Sequence, residues 1–149
     1  MSSADKNLSV FENGEIPDAS EMHFGIVVAE WNSQITASLF ESAYSTLLKY
    51  GAKEDHIKRL NVPGSFELTG GARLLAEDSQ AEAIICLGCI IKGETKHFDF
   101  ISQAVANGLT QLAILFPKPF IFGVLTTNNL KQATDRAGGK HGNKGTEAA

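Results

Sequence analysis

The stretch Ala83–Ile91 (AIICLGCII) constrains the fold of this chain more than any other segment, because it is apolar from end to end and stops at a Lys92-Gly93 pair. A strand with no polar side has no face to give to water, so it must be covered on both faces. That requirement points to the centre of a parallel sheet with helices packed above and below. The flanking sequence fits this demand. His23–Glu30 (HFGIVVAE) reads as a first strand, and Ile35, Leu39, Phe40, Ala43, Tyr44, Leu47 and Leu48 then recur at helical spacing until Gly51. His56–Val62 reads as a second strand with only Ile57, Leu60 and Val62 apolar, and a helix follows Pro63-Gly64 despite Gly70 and Gly71. Each of those glycines costs a helix about 1 kcal/mol relative to Ala. His97–Phe116 carries Phe98, Ile101, Val105, Leu109 and Leu112 on one stripe and ends at Pro117 and Pro119. Phe120–Thr126 is the fourth strand, Asn128–Ala137 a polar-capped helix, GGKHGNKG a flexible turn between helices, and Thr146–Ala149 the start of another helix. Repeated strand-helix alternation predicts an α/β fold: a three-layer α/β/α sandwich on a four-stranded parallel sheet with right-handed crossovers.

Composition narrows the classes of function. With 149 residues, 43% of them hydrophobic, the chain can bury one real core, so residues 1–149 read as a single domain with 1–22 as an N-terminal extension. A net charge of −4, with basic residues dispersed, argues against nucleic acid as a partner. No apolar run approaches the roughly 18 residues of a membrane span, and MSSADKNLSVFENG has neither a basic start nor an apolar signal core. A cytoplasmic protein is expected.

Cys86 and Cys89 form a CxxC, but inside a strand positions i and i+3 face opposite sides of the sheet. They read as two buried apolar thiols, and neither a disulfide nor a shared metal is geometrically natural. Ligands of such sheets collect beyond the carboxyl ends of the strands. Four segments fall there: Trp31-Asn32, Gly64 to Glu67, Lys92 to His97, and Thr126 to Asn129. Between them they offer an aromatic face, a carboxylate, a small hydroxyl, an imidazole and a helix start. Free amides at a helix start carry partial positive charge, so Gly93, Glu94 and Thr95 make an anion seat beside the proton-transfer group His97. A planar polar ligand together with an anion suits this set. Each residue also has a plainer use: His97 as a cap, Trp31 as a cover for the sheet edge, Glu67 and Arg136 as complements to helix dipoles.

Five stretches in this order and spacing, VVAEWN, NVPGSFEL, GCIIKGETKHFDF, FGVLTTNN and DRAGGKHGNKG, resemble the lumazine synthase family over about Phe24 to Ala149. The most specific element is the pattern GxxIxGxTxHFD. The resemblance implies a flavodoxin-like sandwich and a transferase that joins 5-amino-6-ribitylamino-2,4-pyrimidinedione to 3,4-dihydroxy-2-butanone 4-phosphate. The product would be 6,7-dimethyl-8-ribityllumazine, formed in the penultimate step of riboflavin biosynthesis with no metal or cofactor. It further implies that Trp31 stacks on the pyrimidine and that Asn32, Ser65, Phe66 and Glu67 line the place for its ring and ribityl chain. Cys89, Ile90 and Ile91 would meet the pyrimidine edge through their backbones. The amides of Glu94 and Thr95 would hold phosphate together with Arg136, and His97 would move protons. Phe122, Arg136 and Lys144 correspond to residues lent by a neighbouring subunit of a pentamer-based homo-oligomer, in some members an icosahedral shell, with riboflavin synthase as a further partner.

Three departures from the family pattern stand out. Lys92 occupies a position where Arg is also common, Gly70-Gly71 loosens a helix usually built from better formers, and family members continue through a C-terminal helix beyond the point where this sequence, reading as truncated, stops at Ala149. Two readings of other classes compete. A flavodoxin-like carrier of flavin mononucleotide would need a Ser/Thr/Gly-rich phosphate loop directly after the first strand, where this chain has Trp31-Asn32-Ser33-Gln34. A catalytically silent shell subunit would have no use for His97, Arg136 and Glu67 together.

Overall fold

A computed structural model describes residues 16–77 and 80–149; the N-terminal stretch expected to carry no signal core lies outside them. Four strands, β1 (Phe24–Ala29), β2 (Ile57–Val62), β3 (Ala83–Ile91) and β4 (Phe120–Thr127), pair in parallel in the order β2-β1-β3-β4. The apolar run sits where its composition demands, between β1 and β4. Its alternate side chains enter two separate cores. Ile84, Cys86 and Ile90 pack with Leu68, Ala72 and Leu75 of α2 (Leu68–Glu77) and Val105, Leu109 and Leu112 of α3 (His97–Leu115). Ile85, Leu87 and Cys89 pack on the other face with Ile35, Leu39, Phe40, Ala43 and Leu47 of α1 (Ser33–Lys49). This is the three-layer α/β/α arrangement with flavodoxin-like strand order.

The pleat therefore separates the two cysteines, one into each core, as the i, i+3 argument required. Burial pushes the Cys86 thiol up to about 12 and that of Cys89 up to about 11, because a thiolate there would lose its solvation.

Gly71 has a packing reason that periodicity does not reveal. A Cβ there would come within 2.8 Å of Val27 Cγ1 and 2.9 Å of Val62 Cγ1, so the bare backbone lets α2 lie close on the sheet. Gly70, its neighbour, faces open space. At the lower end of the helix, Lys118 Nζ donates to the Ala76 and Ala81 carbonyls (3.0 and 2.6 Å), tying the end of α2 to the start of β3.

The region after β4 departs from expectation. The helix predicted over Asn128–Ala137 is only α4 (Leu130–Thr134), capped by Asn129, whose side chain accepts from the Gln132 amide at 2.9 Å. GGKHGNKG is an antiparallel hairpin rather than an interhelical turn, formed by β5 (Ala137–Gly139) and β6 (Gly142–Asn143). Gly138 and Gly142 adopt φ of 102° and 73°, a region open to glycine at little cost, and it is this freedom that lets the chain reverse there. The hairpin is stitched to α1 by Asn143 Nδ2, which donates to the Ser38 carbonyl at 3.2 Å, and by Ser38 Oγ, which donates to the Ala137 carbonyl at 2.8 Å. The last helix, α5 (Lys144–Ala148), packs against α1 so closely that a Cβ at Gly145 would run into the Leu39 carbonyl.

Candidate active site

Beyond the carboxyl ends of β1, β2 and β3 lies a cleft of about 770 Å³. Trp31 and Asn32 form one side of it, leaving β1. Trp31 is 74% exposed, and its amide donates to the Pro63 carbonyl at 3.0 Å, so the exits of β1 and β2 are locked together. The β2 exit turns sharply through Ser65–Glu67, one short 3-10 turn ahead of α2. Glu67 Oε2 accepts from the Gly64 amide at 2.9 Å, which closes that turn while leaving the other carboxylate oxygen without a hydrogen bond among the described residues. Ser65 is buried against Gly88 of β3, and Phe66 is thrown outward to line the cleft. The floor is the end of β3: Cys89, Ile90 and Ile91.

The β3–α3 connection forms the remaining wall through Gly93, Thr95 and His97. The amides of Gly93, Glu94 and Thr95 have no hydrogen-bond partner among the described residues. Thr95 Oγ1 receives the His97 amide over a long 3.4 Å contact. Unpaired N–H groups in the loop that leads into this 19-residue helix thus lie beside an exposed imidazole.

The cleft thus gathers Trp31, Asn32, Ser65, Phe66, Glu67, Cys89, Ile90, Ile91, Thr95 and His97 from three separate stretches of the chain. Glu94 sits in the same loop without lining it. The fourth segment expected at the site does not reach it: Thr126 to Asn129 stand outside the lining, with Asn129 engaged as a helix cap and the Asn128 amide donating to Gln132 Oε1 at 2.9 Å. Phe122, Arg136 and Lys144 also lie outside it. The β5–β6 hairpin instead brings the last two together, the Lys144 amide donating to the Arg136 carbonyl at 2.9 Å. Arg136 Nη1 donates to the Gln132 carbonyl at 3.0 Å, and Lys144 Nζ is held by both oxygens of Glu147 at 2.7 Å. Pro63, Phe98 and Ile101 complete the lining. Sequence reasoning missed them as site residues because Phe98 and Ile101 fall on the apolar stripe of α3 and read as core; only their position in its first two turns marks them as rim.

Fold and cleft together define an α/β protein of the parallel-sheet class, with an open cleft at the carboxyl ends of its strands, where such sheets hold ligands. Comparison with known proteins narrows the class. The profile of the 6,7-dimethyl-8-ribityllumazine synthase family matches residues 21–149, and the chain belongs to that family. It is 61% identical over 149 residues to the 6,7-dimethyl-8-ribityllumazine synthase of Cytophaga hutchinsonii, covering all of this chain and 93% of the relative. It is 52% identical to that of Parabacteroides distasonis, again over all of this chain and 93% of the relative. The Flavobacterium johnsoniae protein of the same name is 48% identical, over all of this chain and 78% of its own length.

Proposed function

We propose that this chain condenses 5-amino-6-ribitylamino-2,4-pyrimidinedione with 3,4-dihydroxy-2-butanone 4-phosphate to give 6,7-dimethyl-8-ribityllumazine, releasing phosphate and water. The observation that carries the reading is the cleft, in which an exposed indole, a half-engaged carboxylate, free loop amides and an imidazole converge from separate segments of a chain in this family. Trp31 stacks on the pyrimidine, the backbones of Cys89, Ile90 and Ile91 meet its edge, and Asn32, Ser65, Phe66 and the open oxygen of Glu67 line the path of ring and ribityl chain. The Glu94 and Thr95 amides seat the phosphate.

The chemistry asks for little beyond placement and proton transfer. The pyrimidine amine attacks the ketone and an imine forms with loss of water. Phosphate then leaves by elimination, the resulting enol tautomerises to a carbonyl, and the second nitrogen attacks that carbonyl to close the ring with loss of a second water. His97 takes and returns protons at these steps, which an imidazole can do near neutral pH. Loop amides and a guanidinium stabilise charge on the departing phosphate. Holding two small reactants in register can contribute roughly 7 to 11 kcal/mol, more than acid/base help alone.

The site is completed in a homo-oligomer built on pentamers, with Phe122, Arg136 and Lys144 supplied by a neighbour. Their place outside the chain's own cleft supports this, as do the exposed apolar side chains of Phe100, Ile114, Leu115, Phe122 and Leu130. Family resemblance also suggests a cytoplasmic location, association with riboflavin synthase, and an assembly that stays pentameric, pairs into decamers or closes into an icosahedral shell. No helix among the described residues is long and apolar enough to cross a membrane.

Mixing the protein with both substrates and following product absorbance and fluorescence tests the activity; no product from folded protein refutes it. Mixed oligomers of His97→Ala and Arg136→Ala subunits test the shared site. Some interfaces would then pair one intact His97 with one intact Arg136, so partial activity is expected, and none in demonstrably mixed oligomers would put the whole site in one chain.

A further inference from the structure

Asn32 is the one non-glycine residue with positive φ among the described residues, at φ 62° and ψ 44°. An asparagine just before a helix normally takes an extended backbone and turns its side-chain oxygen onto the first free amides of that helix. Here the left-handed backbone is accompanied by no such cap. Its carbonyl still accepts from the Ile35 and Thr36 amides at 2.9 and 3.1 Å, so α1 starts properly without help from the side chain. The side chain goes elsewhere: Nδ2 crosses the mouth of the sheet and donates to the Cys89 carbonyl at 2.8 Å, in β3. Few residue types other than glycine tolerate this backbone region, and Asn is among them while also carrying a donor of the needed length.

Its two attachments bear on the two flat surfaces of the cleft. The left-handed turn at Asn32 directly follows Trp31, whose indole is largely exposed. The side-chain bond holds the Cys89 peptide in the floor. We propose that Asn32 is a positioning residue, a strut between β1 and β3 that fixes the angle between the Trp31 indole and the Cys89–Ile90 floor, so that a flat heterocycle enters in a single orientation. The inference rests on the reading that this cleft takes the pyrimidinedione. In that role one of the two Asn32 Nδ2–H donors is committed to the protein, while the other donor and the oxygen remain for the substrate.

Trp31 is the single tryptophan of the chain, so its fluorescence reports this geometry directly. Asn32→Gly keeps the backbone conformation and removes the strut; Asn32→Asp keeps the size and sets a carboxylate against the Cys89 carbonyl. Cys89 lines the cleft, and the lost bond is a single contact outside the two cores, so both variants should fold. Each should show faster local depolarisation of Trp31 in time-resolved anisotropy. KM for the pyrimidinedione should rise about tenfold, the equivalent of one lost hydrogen bond with its ordering, while KM for the butanone phosphate stays within about twofold. Native depolarisation and native pyrimidinedione KM in both variants would overturn the proposal. Titrating native protein with the pyrimidinedione alone separates the two levels of argument. A Trp31 emission that does not respond removes the cleft reading and the strut with it, whereas a native response that the variants reproduce unchanged removes only the strut.

Discussion

Replacing Gly88 by Ala tests how far the cleft depends on packing beneath it. Gly88 lies in β3, two residues before Ile90 and on the same face, and a Cβ there would stand 2.7 Å from Ser65 Oγ, 2.9 Å from Leu68 Cδ1 and 3.4 Å from Val124 Cγ1. Ordinary contact begins near 3.4 Å, so the Ser65 hydroxyl has to retreat by roughly 0.7 Å. It cannot do so alone. Ser65 is buried, and its turn is closed by the Glu67 amide on the Gly64 carbonyl and the Gly64 amide on Glu67 Oε2. The displacement therefore passes to Phe66 and Glu67, which line the cleft. Overpacking of this kind costs about 1 to 3 kcal/mol, and a shift approaching 1 Å in groups that orient a substrate can lower the rate by up to about a hundredfold. We expect Gly88→Ala to unfold earlier in urea by an amount within that range and to turn over about 10 to 100 times more slowly. Adding Ser65→Ala removes the closest contact, so the double variant should regain about 1 kcal/mol over Gly88→Ala alone. A Gly88→Ala protein with native stability and native rate would refute the argument from packing to site.

His97→Ala should slow turnover by about 10² to 10⁴ and leave pyrimidinedione binding nearly intact; an unchanged rate would reduce His97 to a residue that merely opens α3. Arg136→Ala should weaken binding of inorganic phosphate and of the butanone phosphate by about 2 to 4 kcal/mol, while calorimetry with the pyrimidinedione gives the native value. Cys86 and Cys89 should resist alkylation at pH 8 in folded protein and react fully in denaturant, since thiols pushed up to about 12 and about 11 carry almost no thiolate; rapid labelling of native protein would contradict their burial.

The sheet was legible because burial on both faces leaves a compositional trace. Ala83–Ile91 has the bounds expected from its apolar run, and the opposite placement of Cys86 and Cys89 followed from strand geometry alone. Gly71 was read only as a cost to α2, since helix propensity is local and the Val27 and Val62 methyls that require the glycine come from strands distant in sequence. The hairpin was missed for a related reason. Ala133 and Ala137 continue a helical spacing, and what ends α4 early is the pairing of Ala137 with Asn143 and the ties to Ser38 of α1, contacts that no periodicity encodes.

The same hairpin changes how the site residues relate to one another. As the end of a helix and a residue past a loose turn, Arg136 and Lys144 would be two independent charges; across β5 and β6 they are neighbours joined by a backbone hydrogen bond. The backbones of Arg136 and Lys144 are thus held side by side at the foot of the hairpin, and the cleft has free amides at Gly93, Glu94 and Thr95 but neither of these cations among its described lining residues. In the shared site proposed above, each half would lack what the other holds, and a bound anion would favour the joined state. Lys144 adds a condition to that preference, because Glu147 already grips its ammonium with both oxygens and an incoming phosphate must compete for it. The Arg136 guanidinium is tied to the Gln132 carbonyl through Nη1 alone, which leaves the rest of its fork to meet a phosphate first.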